Sequence, residues 1–483
     1  MQSTLLQWAA LSLPRLPLES FLRASSTAEP WAVAEDRHVV DCNAAAFALG
    51  VRPRMARAAA AALAPHLRFH ERDAAAERAA LEGVAAWAGR YTPNVALVAG
   101  AAGSEGLLLE VSGSLKLFGS TAAIAAGLAH GATEMGYTAC PASAPTAHGA
   151  WLLARGGSPS ACLALGDLAR RLQPLPVEVL DCDARTLATL EAVGVRTIGE
   201  VLALPRAGLA QRFGRALTNE LDRALGTLAD PRGFFAPPER FYAGLELPAQ
   251  VREAEALVFA ARRLIVQLGG FLAARNGGVQ RLRIELFHKE TRSDVGISLV
   301  RPSRDTEHFV MLTREKLSAL ALKEPVRRIA LRADDILAIA HENLDLLDDT
   351  LRRPGDWHGL IERLRARLGN HAVSGIAADA GHRPEAAWRV TEPGERGAAL
   401  EFGTRPLWLL PQPKRLEEIG SAPHCDGLLA LLAGPERIES GWWDGRDTAR
   451  DYFVARAKTE SLLWIYRERG LERGHWYLHG IFG

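Results

Sequence analysis

Cysteine is scarce in this 483-residue chain, and the five present stand far apart at Cys42, Cys140, Cys162, Cys182 and Cys425. None forms a CxxC pair, which argues against a zinc ribbon or a thiol redox motif. A sparse, odd set of cysteines is typical of a reducing compartment. The sequence also lacks an uninterrupted apolar run of about 18 residues and a signal peptide, so it predicts a cytoplasmic protein with no membrane span.

An excess of charge of one sign is missing too, because 57 Lys and Arg residues oppose 56 Asp and Glu residues. With 48% hydrophobic and 23% charged residues, the composition excludes a disordered chain, a coiled-coil rod and a histone-like protein. Lysine is rare: six of the basic residues are lysine and 51 are arginine. A GC-rich genome explains such a bias, and so do bidentate contacts to phosphate. Any nucleic-acid surface must therefore be local.

Residues 1–170 alternate strands with Ala-rich helices, which predicts an α/β region. The expected strands are Leu5–Leu13, a hairpin at 33–40, a central strand Leu107–Val111 and Tyr137–Ala142; the expected helices are Ala56–Leu63, Ala74–Ala88 and Ile124–Met135.

Residues 171–236 are predicted to form a helix-hairpin-helix around Gly194. Thr197 and Glu200 have the spacing of a capping box. A glycine hairpin before a capped helix exposes N–H groups at a positive dipole end, which favours a phosphate seat. The DNA-binding candidates here are Gly194, Arg196, Thr197, Arg212 and Arg215. The alternative is an ordinary helical hairpin with a solvated basic face.

Residues 237–335 predict the order βαββαβ, a split ferredoxin-like unit. Its exposed strand face is expected to carry Arg281, Arg283 and Arg328, either along a phosphate backbone or simply in solvent.

After a linker at 336–356, residues 357–483 contain seven of the eleven tryptophans and predict a small β-rich region. Aromatic residues are favoured at interfaces, and they are equally good core for a small domain. The partner-binding candidates are Trp442, Trp443, Tyr452 and Trp476.

This order of palm, helix-hairpin-helix thumb and ferredoxin-like little finger resembles the Y-family translesion DNA polymerases. The chain is more similar to the ImuB family, their inactive-looking relatives in bacterial mutasomes. The resemblance covers nearly the whole chain and rests on Trp8–Leu11, Leu16–Glu19, Leu109–Gly119, Leu202–Ala207, Arg212–Gly214, Arg365–Gly369, His382–Glu385, Gly434–Trp443, Arg450–Tyr452 and Trp476–Phe482. It implies a multidomain α/β and α+β polymerase-like right hand with a β-rich C-terminal region.

The resemblance also shows where polymerase chemistry should lie. Two-metal nucleotidyl transfer needs carboxylates that hold two Mg²⁺ ions. The register of the resemblance places Ala10 and Ser12 at the first carboxylate pair, and Glu105 and Gly106 at the second. The triphosphate-binding positions fall on Ala44, Phe47, Ala147 and Trp151. These replacements predict that polymerase activity is lost and that one carboxylate survives as Glu105. They also predict no cofactor, since Mg²⁺ would be needed only if residual activity exists.

Just after the little finger, Asn343-Leu344-Asp345-Leu346-Leu347 resembles a sliding-clamp-binding peptide, with Asn for the usual Gln and Leu for the usual Phe. The alternative is the last turn of an apolar helix.

The resemblance therefore implies a non-catalytic, DNA-binding adaptor of SOS-induced, error-prone translesion synthesis. Its expected partners are primer-template or damaged DNA, the β sliding clamp, an error-prone replicative-type polymerase subunit and a RecA-like protein. One competing interpretation is an active polymerase with relocated metal ligands. Another is a protein scaffold that has lost DNA binding.

Overall fold

The structure is a computed structural model that describes residues 6–24, 28–100, 105–157, 161–339, 354–395, 397, 404–441, 445, 447–470 and 474–482. The chain divides into two compact units, Met1–Arg367 and Leu368–Gly483. The names palm and fingers (1–170), thumb (171–236) and little finger (237–335) are used below for parts of the first unit.

The palm is a four-stranded antiparallel sheet in the order β5-β6-β1-β7. The palm and fingers contain β1 (Trp8–Leu13), α1 (Leu16–Leu22), β2 (Trp31–Glu35), β3 (His38–Cys42), α2 (Ala44–Ala48), α3 (Arg57–Leu63), β4 (Arg68–Glu71), α4 (Ala74–Ala88), β5 (Val95–Ala99), β6 (Glu105–Glu110), α5 (Leu115–Phe118), α6 (Thr121–Glu134), β7 (Cys140–Ala144) and α7 (Ala147–Arg155). Helices α4 and α6 pack on one face of this sheet, and α7 with the thumb packs on the other. The fingers pair β3-β2-β4.

The last palm strand begins later than predicted. Tyr137, expected inside it, belongs to the turn after α6, where its N–H bonds to the Ala132 carbonyl at 2.8 Å and its ring is buried. The turn is set by Gly136 at φ +87°, a conformation that favours glycine.

Helix α8 (Leu165–Leu172) leads into the thumb. The thumb contains α9 (Ala184–Ala192), α10 (Ile198–Ala203), α11 (Arg206–Phe213) and α12 (Arg215–Leu225), followed by an irregular segment at 226–236. The capping box is present, because the Thr197 side chain accepts from the Glu200 N–H and Glu200 bonds back to the Thr197 N–H. A second tight connection at Gly214, φ +75°, joins α11 to α12.

The little finger has the predicted βαββαβ order. It contains β8 (Phe241–Val251), α13 (Ala256–Ala274), β9 (Gly277–Phe287), β10 (Arg292–Ser303), α14 (Thr306–Ser318), β11 (Val326–Ala333) and β12 (Leu337–Ala338). The sheet order is β10-β9-β11-β8, with β12 beside β9. Leu282, Ile284 and Leu286 alternate into the core beneath α13 and α14, as the period-two pattern predicts.

Helix α13 is long and apolar enough to cross a membrane by length and composition, although 72% of its most apolar stretch is buried inside the structure. It packs against α4 of the palm on one side and against its own sheet on the other, as a core helix does. The contact with α4 is close: a Cβ at Gly270 would lie 2.1 Å from the Trp87 ring, and one at Gly83 would lie 2.0 Å from the Gln267 amide. Small residues therefore let the palm and the little finger dock tightly.

Helix α15 (Pro354–Leu368) belongs with the little finger, although the sequence placed residues from 357 onward in the C-terminal region. Glu362 accepts from the Val300 N–H at 2.7 Å and also bonds to His308. Ile361 and Ala366 are buried beside it. These contacts move the start of the C-terminal unit to residue 368.

The C-terminal unit is β-rich, as predicted. It contains β13 (Gly375–Ala378), β14 (Trp388–Thr391), β15 (Trp408–Arg415), β16 (Glu417–Ile419), β17 (Ala422–His424), β18 (Ala430–Ser440), β19 (Thr448–Arg456), β20 (Leu462–Glu468) and β21 (Trp476–Ile481). Its main sheet has the order β15-β21-β20-β19-β18, and β13-β14 and β16-β17 form separate hairpins.

Candidate functional site

The four positions at which the sequence expects metal ligands lie on two neighbouring palm strands. Ser12 of β1 stands directly opposite Gly106 of β6, and Ala10 stands opposite Leu108. Ala10 and Ser12 are 0% and 3% exposed. The fold therefore brings these positions together, and it buries them rather than opening them to a substrate.

The Trp151 side chain fills the space in front of Gly106. Trp151 lies on α7, is fully buried and belongs to the same core as Trp8, Ala10 and Leu108. A Cβ at Gly106 would lie 2.6 Å from the Trp151 ring and 2.2 Å from the Leu11 carbonyl oxygen. Both distances are far inside van der Waals contact, so a carboxylate at position 106 has no room.

Glu105, the carboxylate that the sequence expects to survive from the second acidic pair, does not stand opposite Ser12. It stands opposite Leu13, and alternation along β6 places its side chain on the other face of the sheet from Gly106. On that face lies Glu77, which accepts two hydrogen bonds from Arg72. Burial raises the pKa of Glu105, and the negative charge of Glu77 raises it further. Both effects disfavour a negative charge at Glu105, and none of the residues that pair with Glu105 or Leu13 across these strands is a second carboxylate.

The expected triphosphate-binding positions carry no positive charge. Ala147 is buried, and Phe47 of α2 is half exposed beneath the Arg52 guanidinium, 3.6 Å from its ring centre. Arg52 also donates to the Phe47 carbonyl. His148 is buried against Glu220 of the thumb, at 3.2 Å. Within the described ranges, no group of three or more His, Cys, Asp or Glu side chains could hold a metal ion.

The hairpin at Gly194 uses its N–H groups internally, contrary to the predicted phosphate seat. Each backbone N–H from Gly194 to Glu200 donates inside the chain; the Arg196 and Thr197 N–H groups both donate to Glu200, at 2.6 and 3.0 Å. The glycine is still needed, because its φ is +81°. Any phosphate here must be held by side chains.

The thumb side chains suited to that role are exposed arginines. Arg196, Arg212 and Arg215 are all exposed, and in the part of the chain that the structure describes none of them forms an ion pair. By contrast, Arg206 of α11 donates twice to Asp222, at 2.8 and 2.5 Å. Arg212 and Arg215 flank Gly214, so two uncompensated charges lie at one helix junction.

The three predicted little-finger arginines share one face of the sheet, and each already has a carboxylate partner. Arg281 pairs with Asp335 at 3.1 Å, Arg283 with Asp294 at 3.8 Å, and Arg328 with Glu246 at 3.5 Å. Strand register adds Arg332, opposite Arg283 and paired with Asp334 at 2.9 Å. The face is charged but locally balanced, which the sequence pattern did not predict.

A hollow of about 300 Å³ opens on this face between β9, β10 and β11. Arg281, Arg283 and Arg332 line it together with Gly296 and Ser298, and so do the aspartates at 334 and 335. The hollow therefore contains three guanidinium groups and the carboxylate partners of two of them.

The comparison with known proteins decides the family. Residues 18–155 match the impB/mucB/samB family. Protein ImuB of Caulobacter vibrioides, in each of two strains, is 30% identical over 469 residues, covering 90% of this chain and all of the relative. The chain belongs to the ImuB family. Among solved structures, DinB from Sulfolobus solfataricus covers 69% of this chain and 100% of its own, with 16% identity and a TM-score of 0.37. An insertion ternary complex of Dbh DNA polymerase has the same coverage, with 15% identity and a TM-score of 0.38.

The fold class predicted from the sequence is confirmed: this ImuB-family chain has a Y-family polymerase-like α/β and α+β arrangement followed by a β-rich C-terminal region. Of its predicted partner-binding residues, Trp442 and Trp443 lie outside the described residues, as does the candidate clamp peptide at 343–347.

Tyr452 and Trp476 of the same prediction are core residues, at 1% and 4% exposure. They pack on opposite faces of the C-terminal sheet. Because both side chains are buried in this unit, neither is available for direct contact with a partner. A small sheet needs large aromatic side chains to build its core. Among the residues of this unit that the structure describes, the aromatic side chains that are more than half exposed are Trp388 and Trp408, at 56% and 71%.

Sequence reasoning missed a partly buried polar network that joins three ImuB-family motifs; Tyr452 and His479 are buried and Glu385 is half exposed. Arg450 donates to Glu385 and to the Tyr452 hydroxyl, at 3.1 and 3.0 Å. The same hydroxyl bonds to His479 Nδ1 at 2.7 Å. Burial lowers the pKa of His479 to about 4. The sequence did contain a signal for this network, because every residue of it lies in one of the three motifs, His382–Glu385, Arg450–Tyr452 and Trp476–Phe482.

Proposed function

We propose that this chain is a non-catalytic, DNA-binding adaptor in bacterial DNA damage tolerance. One observation carries this proposal: the Trp151 ring occupies the space that a metal-binding carboxylate at Gly106 would need. A polymerase that had only exchanged its ligands would keep an open pocket at this position. In this chain the buried Trp151 side chain fills that space, so we infer that the palm acts as a scaffold.

The DNA-facing surface of the proposal is the thumb together with the little finger. Arg212 and Arg215 form no ion pair with any residue that the structure describes, and they can neutralise phosphate directly. The little-finger arginines must first release a carboxylate. Exposed ion pairs of this kind contribute only about 0–1 kcal/mol, so a phosphate backbone can displace them at small cost. The hollow between β9 and β10 is suited to such a contact.

Primer extension with Mg²⁺ or Mn²⁺ tests the loss of catalysis. We expect no incorporation by the full-length chain at enzyme concentrations that saturate primer-template. Incorporation that disappears in Glu105→Ala would instead support an active polymerase with relocated ligands. A matched control is Glu82→Ala, which removes a partly exposed α4 carboxylate paired with Arg78.

Salt titration of primer-template binding tests the DNA-holding role. The logarithm of the affinity should fall with the logarithm of salt by about 0.9 per neutralised phosphate. Arg212→Ala with Arg215→Ala should reduce that slope by about two units and weaken binding for all sequences. Arg437→Ala, which removes an ion-paired arginine of the C-terminal unit, is the control. No measurable binding at low salt would favour a pure protein scaffold.

The proposal extends to four partners: DNA, the β sliding clamp, an error-prone replicative-type polymerase subunit and a RecA-like protein, assembled in the cytoplasm at the nucleoid. Leu346→Ala with Leu347→Ala should weaken clamp binding and leave DNA affinity unchanged. Unchanged clamp binding would reject residues 343–347 as the tether.

Partner recruitment is assigned to the C-terminal unit, with its exposed aromatics as the contact candidates. Trp408→Ala should reduce pull-down of the polymerase subunit or the RecA-like protein while preserving folding. Val390→Ala tests a second exposed apolar side chain, on the β13-β14 hairpin. If deletion of residues 368–483 leaves both partners bound, the unit is not the recruiting surface.

A further inference from the structure

Helix α15 presents an apolar stripe to solvent, formed by Trp357, Leu360 and Leu364. These side chains are 52%, 46% and 37% exposed. Their spacings of three and four residues, on a helix with 3.6 residues per turn, place them along one line over two turns. Single exposed leucines need no explanation, whereas a contiguous apolar patch that includes a tryptophan is typical of an interaction surface.

The face of α15 that packs on the little finger is a different one. Ile361 and Ala366 are 5% and 7% exposed, and the buried Glu362 carboxylate bonds to the Val300 N–H and to His308. The helix therefore already has its core contacts, and the apolar stripe is additional to them. Because the docked face fixes the orientation of the helix, the stripe is held ready on a firm support.

The charge beside the apolar stripe is of one sign. Arg363 and Arg367 lie one helical turn apart along its edge, are exposed, and form no ion pair with a residue that the structure describes. Between residues 357 and 367 the exposed side chains are these two arginines and the three of the stripe, and the one carboxylate, Glu362, is buried. A helix face that only meets solvent usually mixes charges of both signs.

We propose that the apolar stripe with Arg363 and Arg367, together the α15 face, binds an acidic amphipathic helix of a partner protein. Anchors at i, i+3 and i+7 suit helix-to-helix docking, and carboxylates beside the partner's own apolar stripe would pair with the two guanidinium groups. A second copy of this chain is disfavoured, because its α15 face brings arginines and no carboxylate. A phosphate backbone would leave the three apolar side chains in solvent. The α15 face precedes residue 368, so it is separate from the unit to which recruitment is assigned above.

Fluorescence anisotropy with the full-length chain tests the proposal, using two labelled helical peptides that share one leucine stripe. One peptide carries glutamates beside the stripe and the other carries lysines. We expect the glutamate peptide to bind at least tenfold more tightly. Leu360→Ala with Leu364→Ala should weaken its binding by about tenfold or more, because apolar contact is lost. Leu337→Ala, which shortens an exposed leucine of β12, should leave it unchanged. No binding of the glutamate peptide at millimolar concentration, or equal affinity for both peptides, would overturn the proposal.

Charge reversal separates a partner helix from other anionic partners. Arg363→Glu with Arg367→Glu should reverse the preference, so that the lysine peptide binds more tightly. At physiological salt the same variant should bind primer-template as the wild type does, and neither protein should bind phosphatidylglycerol vesicles. Weakened DNA or vesicle binding with an unaltered peptide preference would overturn the proposal. Because only exposed side chains are changed, each variant should melt near the wild-type temperature.

Discussion

Restoring a carboxylate at Gly106 should damage the fold rather than restore chemistry. In Gly106→Asp the new Cβ meets the Trp151 ring at 2.6 Å and the Leu11 carbonyl oxygen at 2.2 Å. Overpacking of a core costs about 1–3 kcal/mol, and burying an unpaired polar group costs about 1–3 kcal/mol more. A total on the order of 4 kcal/mol is a large part of the 5–15 kcal/mol that stabilises a typical domain.

A double-mutant cycle with Trp151→Ala tests whether the indole is the obstacle. Trp151→Ala alone should cost about 3–5 kcal/mol, because it opens a cavity in the core. In the double variant the aspartate gains the space of the indole, so the combined loss should be smaller than the sum by about 1–3 kcal/mol. Relief is only partial, since the clash with the Leu11 carbonyl remains.

Urea denaturation of the full-length variants gives these free energies, and hydrogen exchange in β1 and β6 assigns them to the palm. Gly113→Asp is the matched control, because a Cβ at Gly113 meets nothing within 4 Å. Strict additivity of Gly106→Asp and Trp151→Ala, or a Gly106→Asp variant as stable as Gly113→Asp, would refute the assignment of Trp151 as the filler of the catalytic position.

Three further outcomes follow from the contacts described. The hydrogen bond that His308 donates to Glu362 raises the pKa of His308, so the docking of α15 should be strongest below pH 6.5 and weaken as pH rises through the raised value; hydrogen-exchange protection factors of α15 at pH 6 and pH 9, corrected for the intrinsic exchange rate, measure it, and Glu362→Gln should remove the dependence. Because the folded pKa of His479 is about 4, the unfolded chain binds the extra proton between about pH 4 and 6.5; the protection factors of β20 and β21 should therefore decrease as pH falls through this range, and His479→Gln should flatten the trend. Asp222→Asn should free Arg206 and raise DNA affinity at low salt, measured by fluorescence anisotropy; unchanged affinity would place Arg206 outside the DNA contact.

Local patterns predicted the elements of this chain well where a periodicity or a cap set them. The alternation of Leu282, Ile284 and Leu286 placed β9, and the Thr197–Glu200 capping box placed α10. The two strands with Ala10, Ser12 and Gly106 were also found, because a continuous apolar run predicts a central strand. Resemblance to the family then identified which positions on them should carry carboxylates.

The properties that depend on long-range contacts could not be predicted. Arg283 and Arg212 look alike in sequence, and only the fold shows that Asp294 pairs with the first while no described carboxylate pairs with the second. Tyr452 resembled an interface aromatic, and only sheet packing shows that it is core. The role of Trp151 could not be predicted without knowing that α7 packs against β6 at the position of Gly106.

The excess of arginine over lysine gains a physical meaning from these positions. Composition allowed either a genomic bias or phosphate contacts. Among the described residues the structure separates three kinds of arginine: those without an ion pair, as at Arg212 and Arg215, those that are ion-paired on the little finger, and the buried Arg23. The buried position of Arg23 distinguishes arginine from lysine. A lysine buried as Arg23 is would lower its pKa and shed its proton, whereas a guanidinium keeps its charge with few partners. Arg23→Lys should therefore be held as a neutral amine, so its stability relative to the wild type should rise between pH 6 and pH 9, because the unfolded chain keeps the proton that the folded chain has lost; urea denaturation at both pH values measures it. A stability difference that does not change with pH would mean that a lysine at this position keeps its charge, and would contradict the burial of position 23.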